Sequence, residues 1–265
     1  MQGEWKRGGI FLWLDSIPDE RRRDARARLL KDEVVIDRME SEAPTRTPGA
    51  LIHNWIGTVF IPGASLRQVL TVIQSYDRHH EYYAPEVTKS KLLTRTGDDF
   101  RVYLRLRQVK VLTVVLDTEH EVHYTHLDAT HVFSRSISTR IAEVKRPGEH
   151  GERALPPGKD NGFLWRLNSY WRFLETGGGV YVQCEAISLT RDIPTGLGFL
   201  LRPFIESVPR ESLTFTLQST RLAVLHSLSP RSARQEIAPA AAAHSELILI
   251  ASKPLSTIKE AKHAY

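Results

Sequence analysis

The stretch Glu185-Ala-Ile-Ser-Leu-Thr-Arg-Asp-Ile-Pro-Thr-Gly-Leu-Gly-Phe-Leu-Leu-Arg-Pro-Phe-Ile-Glu-Ser-Val-Pro-Arg-Glu-Ser-Leu213 decides the fold. Side chains alternate up to Thr190, which predicts a β-strand. Pro194 and two glycines then break the pattern, because proline fixes φ and glycine permits positive φ. Beyond this corner, apolar residues recur at helical spacing at Leu213, Phe215, Leu217, Leu222, Val224 and Leu225. The pattern predicts a long helix over 199–225, with Ser207 and Pro209 near a helix start, and its apolar face must lie against the preceding strands.

The segment before the corner is a succession of strands without intervening helices. Six are predicted, at roughly 86–96, 99–110, 112–124, 131–145, 162–175 and 179–191. Tight turns at 96–98 and 176–179 join neighbours, so these strands are antiparallel. Ahead of them, the periodicity predicts a helix over 18–30, strands over 33–39 and 51–61, and a helix that Ser65 caps. Strands of about 11 residues exceed the usual length of about 5–6, and long twisted sheets curl.

The fold class is therefore α+β, with a long curved antiparallel sheet wrapped around a long C-terminal helix and short helices near the start. The chain has 265 residues, of which 41% are hydrophobic and 25% charged, which is sufficient for an ordinary core. We expect an N-terminal segment with a short basic helix (1–31), one domain (32–226) and a disordered tail (227–265). The single cysteine, Cys184, excludes a disulfide within the chain, and its position in a strand indicates a buried thiol.

Positive charge is concentrated near the start of the chain. The net charge is +5, and residues 19–31 hold six basic residues against three acidic ones. This pattern has two interpretations: a solvated helix face, or peripheral contact with an anionic membrane. No aromatic residues alternate with these charges, so nucleic-acid binding is not expected.

Five further segments are recognisable as signatures: His53-Asn-Trp-Ile-Gly-Thr-Val-Phe-Ile-Pro62, Val114-Val-Leu-Asp-Thr118, Ser134-Arg-Ser-Ile-Ser-Thr-Arg140, Gly162-Phe-Leu-Trp-Arg-Leu-Asn-Ser-Tyr-Trp171 and Ser188-Leu-Thr-Arg-Asp-Ile-Pro194. With the order of elements, they resemble the START-like superfamily, also called SRPBCC, whose fold is the helix-grip fold. The likeness runs from about Glu33 to Leu225 and points to a bacterial subgroup without an assigned activity. It implies an internal cavity that holds an apolar or amphipathic small molecule. Relatives of this subgroup often carry an export signal. None is visible here, so the expected location is cytoplasmic, or exported if the true start lies upstream.

Candidate binding residues follow from this cavity and from the strand patterns. Aromatic side chains offer apolar area with a polar handle, the loop near the corner is a natural mouth, and charged residues would orient the ligand. The candidates are Trp55, Tyr83, Tyr103, Arg105, Arg140, Tyr170, Trp171, Glu185, Ile193, Pro194 and Phe204. Arg105 lies either on a solvated outer face or inside as an anchor. Arg140 shares a face with Ser134, Ser136 and Ser138 by alternation, where small residues leave room. Glu185 is read either as part of an ion pair or as a catalytic acid.

Metal and nucleophile chemistry lack support in the sequence. His120 and His126 share a strand face but stand about 20 Å apart, so they cannot share one ion, and His123 points to the other face. No Gly-x-Ser-x-Gly elbow is present. We expect no metal and no cofactor. The leading hypothesis is a carrier of a lipid-like or other hydrophobic small molecule. The alternatives are a cyclase- or hydrolase-like enzyme, with Glu185 and Tyr170 or His53 as acid and base, and a non-catalytic interaction module.

Overall fold

The computed structural model describes residues 10–39, 45–110, 112–156, 158–192 and 198–229, with Arg46 and residues 198–206 described by their backbone alone. The chain divides into two units, Met1–Ser227 and Leu228–Tyr265, and the sheet lies in the first. The elements of the first half are a 3-10 turn (Trp13–Asp15), α1 (Asp19–Leu29), β1 (Val35–Arg38), β2 (Thr45–Thr47), β3 (Ala50–Pro62), α2 (Leu66–Ile73), a second 3-10 turn (Tyr76–Arg78) and the single turn α3 (His79–Tyr82). Ser65 caps α2 as predicted, because its side chain accepts a hydrogen bond from the Gln68 amide.

The second half follows the predicted succession of strands. Its elements are β4 (Val87–Thr96), β5 (Asp99–Val109), β6 (Thr113–His126), β7 (His131–Lys145), β8 (Arg153–Ala154), β9 (Arg166–Thr176), β10 (Gly179–Arg191) and the C-terminal helix α4 (Gly198–Leu228). The predicted helix start at Ser207 and Pro209 is wrong, because α4 begins at Gly198 and continues through both Pro203 and Pro209. Each proline removes one backbone hydrogen-bond donor, and a helix of 31 residues tolerates this loss.

All strands belong to one ten-stranded antiparallel sheet. The main order is β1-β3-β10-β9-β7-β6-β5-β4, with β2 beside β3 and β8 beside β7. The early strand β3 therefore pairs with the last strand β10, over 13 residue pairs from Gly179 opposite Pro62 to Arg191 opposite Ala50. This sheet together with α4 is the helix-grip arrangement that the sequence predicted.

The sheet has two faces with different covers. The helix face is the side on which α4 lies: a Cβ added at Gly57 would meet Cδ1 of Leu217 at 2.6 Å. The outer face is the opposite side. There, buried apolar side chains before and within α1 pack around Phe60: Phe11, Leu12, Leu14, Ala25 and Leu29. The backbone N–H of Trp13 also donates to the buried amide of Gln183 at 2.7 Å. The N-terminal segment therefore covers part of the outer face.

Two contacts between α4 and β3 show the direction in which the helix runs over the sheet. Leu217 approaches Gly57, and the Arg221 guanidinium donates to the Phe60 carbonyl at 3.2 Å. The helix thus runs in the same direction as β3, and its N-terminal half extends toward the part of the sheet around His53 and Trp55. No helix in the described ranges is both long and apolar enough to cross a membrane.

Candidate functional site

One end of the helix face is a closely packed apolar region. The strand register aligns Val59, Val182, Phe173 and Val132 across four neighbouring strands. All four are 0% exposed, as are Leu217 and Val224 of α4 above them. We call the four sheet residues the apolar row. A region of this kind is ordinary protein core.

Two further rows, toward the other end of the same face, have a different composition. The first contains Trp55, Ala186, Ser169, Ser136 and Val122. The second contains His53, Ser188, Leu167, Ser138 and His120, with the Leu167 amide donating to the Ser138 hydroxyl at 3.1 Å. The middle positions, on β10, β9 and β7, are serine or alanine in five of six cases. We call these six middle residues the floor of a trough, and His53, Trp55, His120 and Val122 its walls.

Four of the six floor residues remain accessible although they lie at the centre of a ten-stranded sheet, and the other two, Ser138 and Ser188, are buried. Ser136, Leu167, Ser169 and Ala186 are all partly exposed. Short side chains at such a position have solvent-accessible surface only if the space above them is open. The apolar row, four to six residues away along the same strands, is completely buried. Small side chains in the floor therefore leave an accessible space on the helix face.

The walls present polar atoms that protein groups do not saturate. His120 is 5% exposed; its Nδ1 lies 3.4 Å from the Ser136 hydroxyl, and no described group bonds its Nε2. Trp55 is 9% exposed, and its indole Nε1 has no hydrogen-bond partner among the described residues. Burial lowers the pKa of His120 to about 4, so its imidazole is neutral at pH 7. On the opposite wall, His53 Nε2 lies 3.3 Å from the Thr190 hydroxyl.

Three of the predicted site residues are on the side of the sheet that carries the trough. Trp55 forms part of its wall. Trp171 lies in the row between the trough and the apolar row, where its Nε1 donates to the Ser169 hydroxyl at 3.1 Å. Tyr83 follows α3 and is buried, with its hydroxyl 3.0 Å from that of Thr220 on α4. Burial raises the pKa of Tyr83 to about 12.

Tyr103 and Arg105 lie on the outer face instead of in the interior. The Arg105 guanidinium binds both carboxylate oxygens of Asp117, at 2.7 and 2.9 Å, and also Glu152 at 2.6 Å. The Tyr103 hydroxyl donates to the same Asp117 at 2.6 Å. Burial first, and then this hydrogen bond, raise the pKa of Tyr103 to about 12. The outer-face interpretation of Arg105 is therefore correct, and its guanidinium already has protein carboxylates as partners.

Arg140 does not share a face with the serines of β7. His120 pairs with Ser138, but the next residue of β6, Glu119, pairs with Arg140, so the register shifts by one residue. The bulge turns Arg140 to the outer face, where its guanidinium lies 3.4 Å from Glu119. Strict alternation gave the wrong side because it cannot represent an extra residue.

Glu185 and Tyr170 also lie on the outer face, opposite each other in the register of β10 and β9. The Glu185 carboxylate accepts a hydrogen bond from the Asn54 side-chain amide at 3.1 Å. His53 projects from the other face, so the acid–base combination of Glu185 with His53 does not converge. Ile193 and Pro194 lie outside the described residues. Phe204 lies within α4, in the part described by its backbone alone.

The sequence pattern does not identify most of the trough residues. It marks His53 only as a catalytic candidate and His120 only as a possible metal ligand. It gives no sign that Ser169, Ala186 and Ser188 belong to a site. Each is unremarkable within its own strand. They form a site only because β3 pairs with β10 and β9 with β7. The alternation of side chains within each strand determines the face of the sheet on which these residues lie. The register between strands determines which residues are their neighbours.

Two surface clefts lie outside the trough. One, of about 480 Å³, lies at the start of α2 and beside the turns near Asp98 and Asp128. The other, of about 320 Å³, lies between α1 and β1. None of the predicted site residues lines either cleft. Within the described ranges, no group of three or more histidine, cysteine, aspartate or glutamate side chains is arranged to hold a metal ion.

The basic helix α1 has most of its arginines engaged with carboxylates. Arg21 contacts Asp37 at 2.5 Å, Arg26 contacts Asp15 at 2.8 Å, and Arg28 contacts Glu33 at 2.8 Å. Arg22 also pairs with a carboxylate, that of Asp19. These exposed pairs reduce the positive charge that the helix presents to solvent.

Comparisons with known proteins find similar backbones. No protein-family model matches the sequence, and no curated protein matches it significantly. Among solved structures, a Thermus thermophilus protein is 18% identical with a TM-score of 0.48, covering 66% of this chain and 98% of that one. The STAR-related lipid transfer protein from Xanthomonas axonopodis is 17% identical with a TM-score of 0.47, covering 73% of this chain and 99% of that one. The Streptomyces aromatase/cyclase Zhui is 13% identical with a TM-score of 0.46, covering 67% and 96%.

The predicted fold is confirmed. The element order, the sheet topology and the covering helix α4 are those of the helix-grip fold. One structural neighbour is called a lipid transfer protein and another an aromatase/cyclase. A shared fold of this kind accommodates different activities. The role of this chain must therefore be inferred from its own residues.

Proposed function

We propose that the protein is a carrier that binds a hydrophobic or amphipathic small molecule in the space beside the trough. The observation that supports this most strongly is the partial exposure of Ser136, Ser169 and Ala186 at the centre of the sheet. A protein that needed only stability would fill such positions with large apolar residues, as it does in the apolar row. Small residues in a continuous patch favour a guest molecule over a solid core.

Apolar burial would supply most of the affinity. Leu104 and Leu106 lie on the helix face of β5 and, like Leu167, are only partly buried. Covering apolar surface of this kind contributes about 25 cal/mol per Å², before the costs of ordering the ligand. The serines and the wall residues would then limit which polar atoms the ligand can carry into the space.

A catalytic role has less support from the site. Of the acid–base pairs that the sequence offered, Glu185 and His53 lie on opposite faces of the sheet, and Glu185 and Tyr170 lie opposite each other on the outer face, away from the trough. His120 does face the trough, but its pKa of about 4 is far below the value near 7 that suits a general acid or base at neutral pH. The trough is therefore better suited to holding a molecule than to transferring a proton.

Peripheral contact of residues 19–31 with an anionic membrane would accompany such a carrier role. The arginines on the surface of α1 are largely paired with carboxylates. The attraction between this helix and an anionic membrane would therefore be modest, and salt would reduce it. Binding of the full chain to vesicles containing anionic lipid, measured at two salt concentrations, tests this point. Binding that does not weaken as salt increases would contradict it.

Filling the trough tests the carrier proposal. We expect native mass spectrometry of the wild-type protein, purified without detergent and incubated with fatty acids, phospholipids or sterol-like probes, to show a bound molecule. Ser136→Leu places a large side chain in the floor and should abolish uptake. Arg135→Leu is the matched control, because the neighbouring residue on β7 points to the outer face and is exposed. No uptake by the wild type, or equal loss in both variants, would contradict the proposal.

A further inference from the structure

Two hydrogen-bond donors without partners occupy opposite walls of the trough. The indole Nε1 of Trp55 can only donate. The imidazole of His120 is neutral, and its Nδ1 lies 3.4 Å from the Ser136 hydroxyl; the tautomer in which Nδ1 accepts this hydrogen bond carries its proton on Nε2. In this tautomer, both unpaired buried atoms are donors. Leaving such groups unpaired in a folded protein costs free energy, and a ligand that supplies acceptors would recover it.

Charged side chains are absent from the described residues of the two trough rows. The three charged residues that the sequence suggested as anchors, Arg105, Arg140 and Glu185, all lie on the outer face. The cation nearest in the register is Arg38, which pairs with Trp55 at the end of the row, and its guanidinium lies 4.6 Å from the centroid of the Trp55 ring. A carboxylate or phosphate placed over the floor would therefore lose its hydration without gaining an ion pair there.

We propose that the ligand is an uncharged molecule that carries oxygen acceptors, such as a ketone, an ester or an ether, on an apolar frame. This rests on the carrier function proposed above and specifies the class of molecule that the same site takes. The donors select against pure hydrocarbons, because these leave both groups unpaired. Among the described residues, the two trough rows hold no cation, which selects against anionic lipids.

The two donors belong to β3 and β6, which are separated by four strand spacings in the sheet. This corresponds to about 19 Å measured along the sheet, and to less through space in a curved sheet. A ligand with a single oxygen would therefore bond to one wall, whereas an elongated ligand with an oxygen near each end would bond to both.

A matched set of probes tests the inference: methyl dodecanoate, dodecanoate at pH 8, and tridecane, titrated calorimetrically into the full chain. We expect the methyl ester to bind at least about five-fold more tightly than either of the other probes, since one net hydrogen bond is worth about 1 kcal/mol. Trp55→Phe and His120→Phe each remove a donor and keep a ring. At least one of them should weaken binding of the ester about five-fold and leave binding of tridecane unchanged.

The possible failures are distinguishable. If none of the three probes binds and native mass spectrometry also shows no uptake, the carrier function itself fails. If dodecanoate binds more tightly than the ester and loses this advantage in Arg38→Gln, the site takes anions and this inference fails while the carrier function stands. Equal binding of tridecane and the ester, or an ester affinity unchanged in both donor variants, would also overturn it. Thermal unfolding of each variant checks that it is folded.

Discussion

The apolar row and the trough are two regions of one sheet face, built on the same strands and lying four to six residues apart along each strand. In the apolar row, valines and a phenylalanine meet α4 with no exposed surface. In the trough, small residues occupy the equivalent positions on β10, β9 and β7, and Ser136, Ser169 and Ala186 remain partly exposed, whereas Ser138 and Ser188 are buried. The pairing of β3 with β10, of β10 with β9 and of β9 with β7 is regular in both regions, and the bulge lies where β7 pairs with β6. The difference between core and binding space therefore arises from side-chain volume and polarity, and each region can be perturbed separately.

The largest expected effect is in the apolar row. Phe173→Ala should lower the free energy of unfolding by about 3–5 kcal/mol, because it removes a fully buried ring and leaves a cavity. Ser136→Ala, in the trough, should change it by less than about 0.5 kcal/mol. Urea unfolding measures both. Similar values for the two variants would mean that the two regions are packed alike, and the comparison would fail.

Larger side chains should also affect stability differently in the two regions. A methyl group at Gly57 would lie 2.6 Å from Leu217 and 2.9 Å from Ile36, so Gly57→Ala should destabilise the protein by about 1–3 kcal/mol. Ala186→Val adds more volume over the floor and should cost less than about 1 kcal/mol. Chemical denaturation of both variants is the measurement. A larger cost at Ala186 than at Gly57 would show that the space above the floor is filled.

The outer face supplies a control for the binding site. Arg105→Gln breaks its contacts with Asp117 and Glu152 and should destabilise the protein by about 1–2 kcal/mol. Ligand uptake by the folded variant should be unchanged, because the guanidinium lies on the face opposite the trough. Arg101→Gln, on the same strand and more exposed, should have almost no effect on stability. Loss of uptake in the folded Arg105 variant would restore this arginine as a ligand anchor.

A further expected effect is a dependence of stability on pH. Burial lowers the pKa values of His79 and His120 to about 4, from an ordinary value of 6.5. The unfolded chain therefore binds protons that the folded protein does not, and stability falls as the pH is lowered from 6.5 toward 4. Each histidine contributes a slope of up to about 1.4 kcal/mol per pH unit in this window. Glu86 acts in the opposite sense, because burial raises its pKa.

The contribution of His120 is isolated by a single variant. Unfolding free energies of wild type and His120→Phe between pH 6 and pH 5 should differ in slope by about 1.4 kcal/mol per unit. Identical slopes in the two proteins would show that His120 titrates at its ordinary pKa and is not buried in the trough wall.

Much of the fold was predictable because its signals are local. Alternation identified the strands, and glycines marked the hairpin at 176–179, where Gly179 has a φ of 146° and an added Cβ would clash with the Ile61 carbonyl. The helix start predicted near Ser207 and Pro209 is wrong because proline and serine there are local signals of a helix start, whereas the helix already begins at Gly198 and continues through both residues. Arg140 was assigned to the wrong face because the bulge depends on how β6 pairs with β7. Such pairings cannot be read from one strand.

The sequence by itself determined the order of strands and the long C-terminal helix, because periodicity, proline and glycine act over a few residues. It also determined that serines alternate along β7. Only the tertiary structure decided that those serines lie beside Ser169 and Ala186, with Trp55 and His120 at the two sides and the arginines on the other face. Neighbours across a sheet come from distant parts of the chain, so a site composed of such neighbours exists only once the register is formed.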